Sequence, residues 1–351
     1  MKNIFSIGIL LFLTGAFFSS CKPDGNLVTP KQERTEYSYI SGTIKLPDGS
    51  PVEGVSFNNG SSTVYSDING KYIIDNIAVG TEVVLEPKKP FYSFDPLQKV
   101  RVVNGGVNNI DFTATRTDGM TIKTIREGDL TFYTIDNFET TIVKIPFISD
   151  YIYHTKLEPI YFAKIADSAD YRVVVNASYF DTDGKQMRYI NAGYLKVKNQ
   201  VLSPVKPNDL QIMKLLAYNT NENRMRFYEL SELDKTGDYD LVVQTGPSII
   251  KNNVVDNSSI DSSINGKRQA YRTSLATVNG NEFYIIVTAG TRGGILLKNL
   301  GQMLLDSGIF YKGELNVIGL DGGPSTAIYI KNHPELSYNI TGVHPTAICV
   351  K

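Results

Sequence analysis

Residues 317–330 read VIGLDGGPSTAIYI. Apolar runs at 317–320 and 327–330 enclose Asp321, Gly322, Gly323, Pro324, Ser325 and Thr326. One carboxylate, two glycines and two hydroxyls are thus pinned to a tight turn between segments that belong in a core. Glycine lets a backbone approach a ligand closely, and successive N–H groups of such a turn can bind an anion. The plainer alternative is a strand–turn–strand unit in which Asp and Gly only suit the turn.

Working outward, ELNVIGL is the strand that leads into this turn, and GILLKNLGQMLLDSG before it has the spacing of a helix closed by Gly308. EFYIIVTAG is a buried strand, and YRVVVNASYF is a strand running into a loop. KLEPIYFAKIADSA fits a short helix, while MKLLAYNTNENRMRFYELSEL is ambiguous between helix and strand. Short strands mixed with at least two helices predict an α+β domain with a mixed sheet and flanking helices over residues 118–351.

Four polar joints adjoin apolar runs in that domain. They are 176–181 (NASYFD), 244–248 (QTGPS), 271–274 (YRTS) and 321–326. Polar residues at the ends of several core strands are how many active sites are assembled. The order and content of VVVNASYFDTDG, VVQTGPSII, YRTSLATVNGNEFYIIVTAG, GGILLKNLGQMLLDSGIFYKGELNVIGLDGGPSTAIYI and HPTAICV resemble the phosphodiester glycosidase family. The name-giving member of that family uncovers mannose 6-phosphate on lysosomal enzymes. Two departures stand out: Ala289 and Asn299 occupy positions where the family usually carries carboxylates.

The resemblance implies a hydrolase that removes a sugar from a sugar-1-phosphodiester, such as an N-acetylglucosamine-1-phosphodiester. Cutting a sugar–oxygen bond commonly takes two carboxylates. A phosphate leaving group needs its charge stabilised more than it needs a proton, and arginine's planar fork suits it. Asp321 is the expected base or nucleophile, with Asp181 second. Asn176, Tyr179, Arg272, Thr273, Gly246, Arg292, Gly322, Gly323, Ser325 and Thr326 are the expected substrate-binding residues, with the 322–326 turn adding N–H donors. His154, His333 and His344 fall outside those four joints, which argues against a His-based metal site or a Ser-His-Asp hydrolase. His344 remains a candidate phosphate contact. No cofactor and no metal are expected. The lost carboxylates support a second reading, a glycan-binding protein with a degenerate site.

Residues 37–117 have another texture. YISGTIKL is a strand, PDGSPVEG is turn chemistry built on Asp48-Gly49 and Pro51, and NGKYIIDNI and VRVVNGGVNNIDFTAT continue the series of short segments bounded by Gly, Pro, Asn and Asp. The pattern predicts an antiparallel β-sandwich of about seven strands. SGTIKLPDGSPVEGVSF and SDINGKYIIDNIAVGTEVVLEPKKPFYSFDP resemble the carboxypeptidase regulatory-like, transthyretin-like domain family, in which the sandwich is an accessory module.

Lys2, the apolar run 4–18 and Ser19-Ser20-Cys21 resemble a bacterial lipoprotein signal. Residues 1–20 are then the signal peptide, Cys21 carries lipid, and the polar stretch to residue 36 is a tether. The expected location is the bacterial cell envelope, on the outer membrane or cell surface. Cys349 is the only other cysteine, so no disulfide framework is expected. With a net charge of −1 and no long basic run, nothing in the sequence suggests a nucleic-acid partner, and none is expected. The expected partners are a glycan substrate and, through the lipid, a membrane.

Overall fold

The computed structural model describes residues 35–58, 62–156, 161–291, 293–340 and 344–351. The signal peptide 1–20, Cys21, nearly all of the tether 21–36 and Arg292 lie outside the described residues. Residues 37–351 form one unit.

The first part of that unit is built from eight short strands. Tyr37–Lys45, Lys71–Ala78, Tyr92–Asp95 and Phe112–Arg116 form a sheet, and two strand pairs complete the layer against it. Alternation decides which residues go inside. Tyr72 and Ile74 are buried on Lys71–Ala78 while their neighbours face out. Phe57 stacks on Tyr72 with ring centroids 4.2 Å apart, and Ile40, Ile44 and Phe112 close the core. The sheet is not wholly antiparallel: Tyr37–Lys45 and Phe112–Arg116 run parallel, with Ile44 opposite Phe112. A parallel neighbour needs a long crossover, and residues 46–111 supply it. The expected sandwich of about seven strands is present as eight short ones, and the expectation that all run antiparallel is corrected.

The remainder is organised around an eight-stranded sheet. Its central strands are Leu315–Gly319, Arg272–Val278, Glu282–Thr288 and Thr140–Ile145. Every residue of Arg272–Val278 is buried, because both faces of the sheet are covered. One face takes helix Leu297–Ser307, whose Leu300, Met303 and Leu304 pack on Ile249, Ala276 and Ile286. That helix ends at Gly308 with φ 67°, as its sequence predicts. The other face packs Leu275, Ile285 and Ile318 against Leu216 and Val243 of a five-stranded sheet and Val175 and Ile348 of a four-stranded one. The ambiguous stretch after Gln211 is a hairpin, Lys214–Asn219 with Arg224–Glu229, followed by a short 3₁₀ segment.

The two parts meet at the C-terminus of helix Leu297–Ser307, where the last carbonyls lack intrahelical donors. Arg116 of the sandwich donates to the carbonyls of Asp306 and Ser307, each at 3.1 Å, and Lys89 donates to that of Gly308 at 2.6 Å. Cations at this end also complement the helix dipole. Burial pulls the Lys89 ammonium down to about 8.

Candidate active site

Asp321 follows strand Leu315–Gly319, and its main chain is fixed by two neighbours. Its N–H donates to the Ala177 carbonyl at 3.0 Å, and its own carbonyl accepts from Asn176 Nδ2 at 2.7 Å. Asn176 Oδ1 in turn accepts from Thr273 Oγ1 at 2.7 Å and from the Ala327 N–H at 2.9 Å. One buried amide therefore ties together the strand carrying Asn176, the strand Arg272–Val278 and both ends of the Asp-Gly-Gly turn. Asn176, Thr273 and Thr326 are at most 3 % exposed. Of these three expected substrate-binding residues, Asn176 and Thr273 engage their side chains in this brace, and Thr326 is buried within the turn.

The turn also departs from its expected role as an anion cradle. The Gly323 N–H donates to the Tyr271 carbonyl at 2.9 Å, that of Ser325 to Gly322 at 3.3 Å and that of Thr326 to Gly323 at 3.1 Å. The Gly322 N–H supports the Asp321 carboxylate. These donors are already engaged inside the protein. Glycine is needed here for other reasons. Gly323 has φ 60°, and a Cβ on Gly322 would lie 2.9 Å from the Tyr271 carbonyl oxygen.

What remains available is a set of side chains. Burial pushes the Asp321 carboxyl up to about 7, with the Ser325 side chain and the Gly322 N–H pulling the other way. Arg272 opens its strand only 8 % exposed. Its Nε donates to the Ile295 carbonyl and its Nη2 to those of Asn265 and Arg268. Among the described residues no carboxylate pairs with it, and Tyr179 is the one titratable group that acts on it. Three carbonyls hold the guanidinium in place, and the N–H groups of Nη1 make none of these bonds. Burial pulls its pKa down, yet arginine stays charged.

Tyr179 links these elements. Its hydroxyl donates to the Gly246 carbonyl at 3.2 Å and is acted on by the charges of Asp321, Arg272 and Asp209. Burial first, then Asp321, holds it well above the usual phenol range, so it stays protonated. Gly246 has φ 145° and packs its α-carbon face against the Gln211 carbonyl. Arg272, Asp321, Tyr179 and Gly246 thus converge, with Asn176 and Thr273 as their shared brace.

Other expected residues do not join them. The Asp181 carboxylate stands on an exposed hairpin, 69 % open to solvent, with Lys206 at 3.5 Å. The structure thus places this expected second carboxylate at the surface, beside Lys206. His344 is buried, its Nε2 2.9 Å from the Asn339 carbonyl and its ring 4.5 Å from that of Phe162. It supports the chain beneath the turn. Asn299 is exposed on its helix.

Two carboxylates escape a motif search because they come from loops without a signature. Glu139 accepts from the Thr291 N–H at 3.0 Å and Oγ1 at 2.8 Å, and a Cβ on Gly290 would meet its carboxyl carbon at 2.5 Å. It therefore occupies the space beside Ala289-Gly290. Asp209 lies on the loop against Gly246. A cleft of about 480 Å³ reaches Lys214 and Ser248 near Gly246 but is lined by none of Asp321, Arg272 and Tyr179. Among the described residues no three His, Cys, Asp or Glu side chains are grouped to hold a metal ion.

No curated protein matches the chain. Among solved structures, it is similar to the catalytic domain of zebrafish N-acetylglucosamine-1-phosphodiester alpha-N-acetylglucosaminidase. The two share 14 % identity over 76 % of this chain and 88 % of that one, with a TM-score of 0.43. A protein from Synechocystis also shares 14 % identity, over 91 % of this chain and 81 % of that one, with a TM-score of 0.43. The phosphodiester glycosidase family matches residues 169–351, more than half of the 351 residues and the whole of the site from Asn176 to Thr326. The chain belongs to the phosphodiester glycosidase family.

Proposed function

We propose that this protein hydrolyses the bond between an anomeric carbon and a phosphodiester in an N-acetylglucosamine-1-phosphodiester-like glycan, held at the bacterial cell envelope by lipid on Cys21. The observation that carries the reading is the Arg272 guanidinium, buried, held by the Ile295, Asn265 and Arg268 carbonyls and without a carboxylate partner among the described residues. A buried cation held only by carbonyls is completed by an anion, and a phosphate offers one in the right shape.

Asp321 supplies the proton chemistry. A carboxyl at about 7 exchanges protons at neutral pH, the condition a general base needs. The water oxygen forms a bond to the anomeric carbon as the carbon–oxygen bond to phosphate breaks. The water proton passes to Asp321, and the phosphate monoester departs with the electron pair toward Arg272. No proton donor is required for a leaving group already stable as an anion.

Ala289 and Asn299 favour a second reading, a glycan-binding lipoprotein that no longer turns substrate over. The full chain, incubated with methyl phosphodiesters of N-acetylhexosamine-1-phosphate and hexose-1-phosphate, separates the two. Release of free sugar and methyl phosphate supports the enzyme. Saturable binding without release supports the binding protein. Mass spectrometry of the mature N-terminus tests the anchor, with a diacylated or triacylated Cys21 expected and an unmodified start contradicting it.

A further inference from the structure

Glycosidic cleavage builds positive charge on the anomeric carbon, and a second carboxylate commonly answers it. Asp181 is placed on the surface and Glu139 is engaged by Thr291, which leaves Asp321 in need of a partner. A chain of contacts leads to one. The Tyr179 hydroxyl donates to the Gly246 carbonyl at 3.2 Å, Gly246 packs on the Gln211 carbonyl, and the Gln211 N–H donates to Asp209 Oδ1 at 3.0 Å. Lys206 Nζ lies 3.4 Å from Asp209 Oδ2, and only 21 % of the Asp209 side chain is exposed.

The loop bearing this carboxylate is anchored from beneath. Gln244, fully buried, accepts from the Lys206 N–H at 3.0 Å and donates to the Lys206 carbonyl at 2.7 Å. It also accepts from the Tyr194 N–H at 2.8 Å. Asp209 further closes its own turn, its carbonyl accepting from the Ile212 N–H at 3.0 Å. The Asp209 carboxylate is thus fixed and part-buried on the loop whose Gln211 carbonyl packs on Gly246. Its charge reaches the same Tyr179 hydroxyl that Asp321 and Arg272 reach.

We infer that Asp209 is the second carboxylate of this site, stabilising the positive charge that develops on the anomeric carbon while Asp321 takes the proton of the attacking water. The inference rests on the hydrolytic reading above. Asp209 gains and loses no bond in the step: its role is electrostatic, and Arg272 and Asp209 divide the charge of the transition state between phosphate and sugar.

The test uses the full chain and whichever sugar-1-phosphodiester of the methyl panel it hydrolyses. Asp209→Asn keeps an oxygen for the Gln211 N–H, so the loop is retained and thermal melting checks it. The expected result is a fall in kcat on the order of 100-fold with KM within about threefold, the pattern of a group acting in the transition state. Sodium formate, a small carboxylate, is expected to restore at least about tenfold to Asp209→Ala, where sodium chloride does not. A merely structural role would not respond to formate. An Asp209→Asn protein with unchanged kcat, or an Asp209→Ala protein deaf to formate, overturns the inference and leaves the hydrolytic reading standing. A wild-type chain inert on the whole panel overturns both.

Discussion

At the scale of single residues, Asp321 makes the sharpest demand. Its folded-state pKa is raised from 3.8 to about 7. The folded protein therefore binds a proton more tightly than the unfolded chain between those values. Stability contributed this way is complete below the unfolded pKa and is lost as pH rises through about 7. Asp321→Asn removes the slope. It is expected to match wild type near pH 4 and to melt higher at pH 8, while turnover falls on the order of 100-fold. Calorimetry across pH checks the first part, and a wild-type melting temperature that does not decline from pH 4 to 8 relative to the variant refutes it. For wild type, kcat/KM is expected to rise with pH through about 7, because the base acts ionised. Arg272→Lys loses the planar fork. Its expected outcome is at least about a tenfold weaker competition by inorganic phosphate, read by calorimetric titration, which corresponds to about 1.4 kcal/mol.

At the scale of elements, the brace and the junction carry the stability. Asn176→Ala strands the Thr273 hydroxyl and the Ala327 N–H and frees the Asp321 carbonyl. Leaving buried groups unpaired costs about 1–3 kcal/mol each, so a loss on the order of 3 kcal/mol is expected in chemical denaturation. Arg116→Ala uncovers two carbonyls of helix Leu297–Ser307 and the Asp118 carboxylate that Arg116 holds at 2.6 Å. A loss on the order of 2 kcal/mol is expected, and an unchanged midpoint contradicts the capping role. Much of this architecture is written in the chain. Helix Leu297–Ser307 shows its apolar face and its Gly308 stop, and strand Glu282–Thr288 betrays its burial by the apolar run from Phe283 to Val287. The hairpin at Lys214–Glu229 stays ambiguous because charged residues interrupt its alternation. The parallel pairing of Tyr37–Lys45 with Phe112–Arg116 joins residues almost 70 positions apart, a contact that no local pattern encodes. The site is legible in the same uneven way. Polar residues at strand ends point to Asn176, Arg272 and Asp321, yet the sequence does not say that Asn176 faces inward. The engagement of the turn's N–H groups depends on Tyr271 and Ala177, which approach only in the folded state. Asp209 and Glu139 lie on loops and have no periodicity to mark them.

At the scale of the whole molecule, the sandwich and the family domain are joined by Arg116 and Lys89 at one helix terminus and by Glu53, which accepts from the Tyr311 hydroxyl at 2.8 Å. The central claim is that the Arg272–Tyr179–Asp321 constellation still cleaves a sugar–phosphate bond despite Ala289 and Asn299. The most direct measurement is proton and phosphorus NMR of the full chain with methyl N-acetylglucosamine-1-phosphodiester, run beside Asp321→Asn. The expected result is appearance of free N-acetylglucosamine and methyl phosphate with wild type, and on the order of 100-fold slower appearance with the variant. Equal rates for the two proteins, or tight binding by wild type with no product, would contradict it.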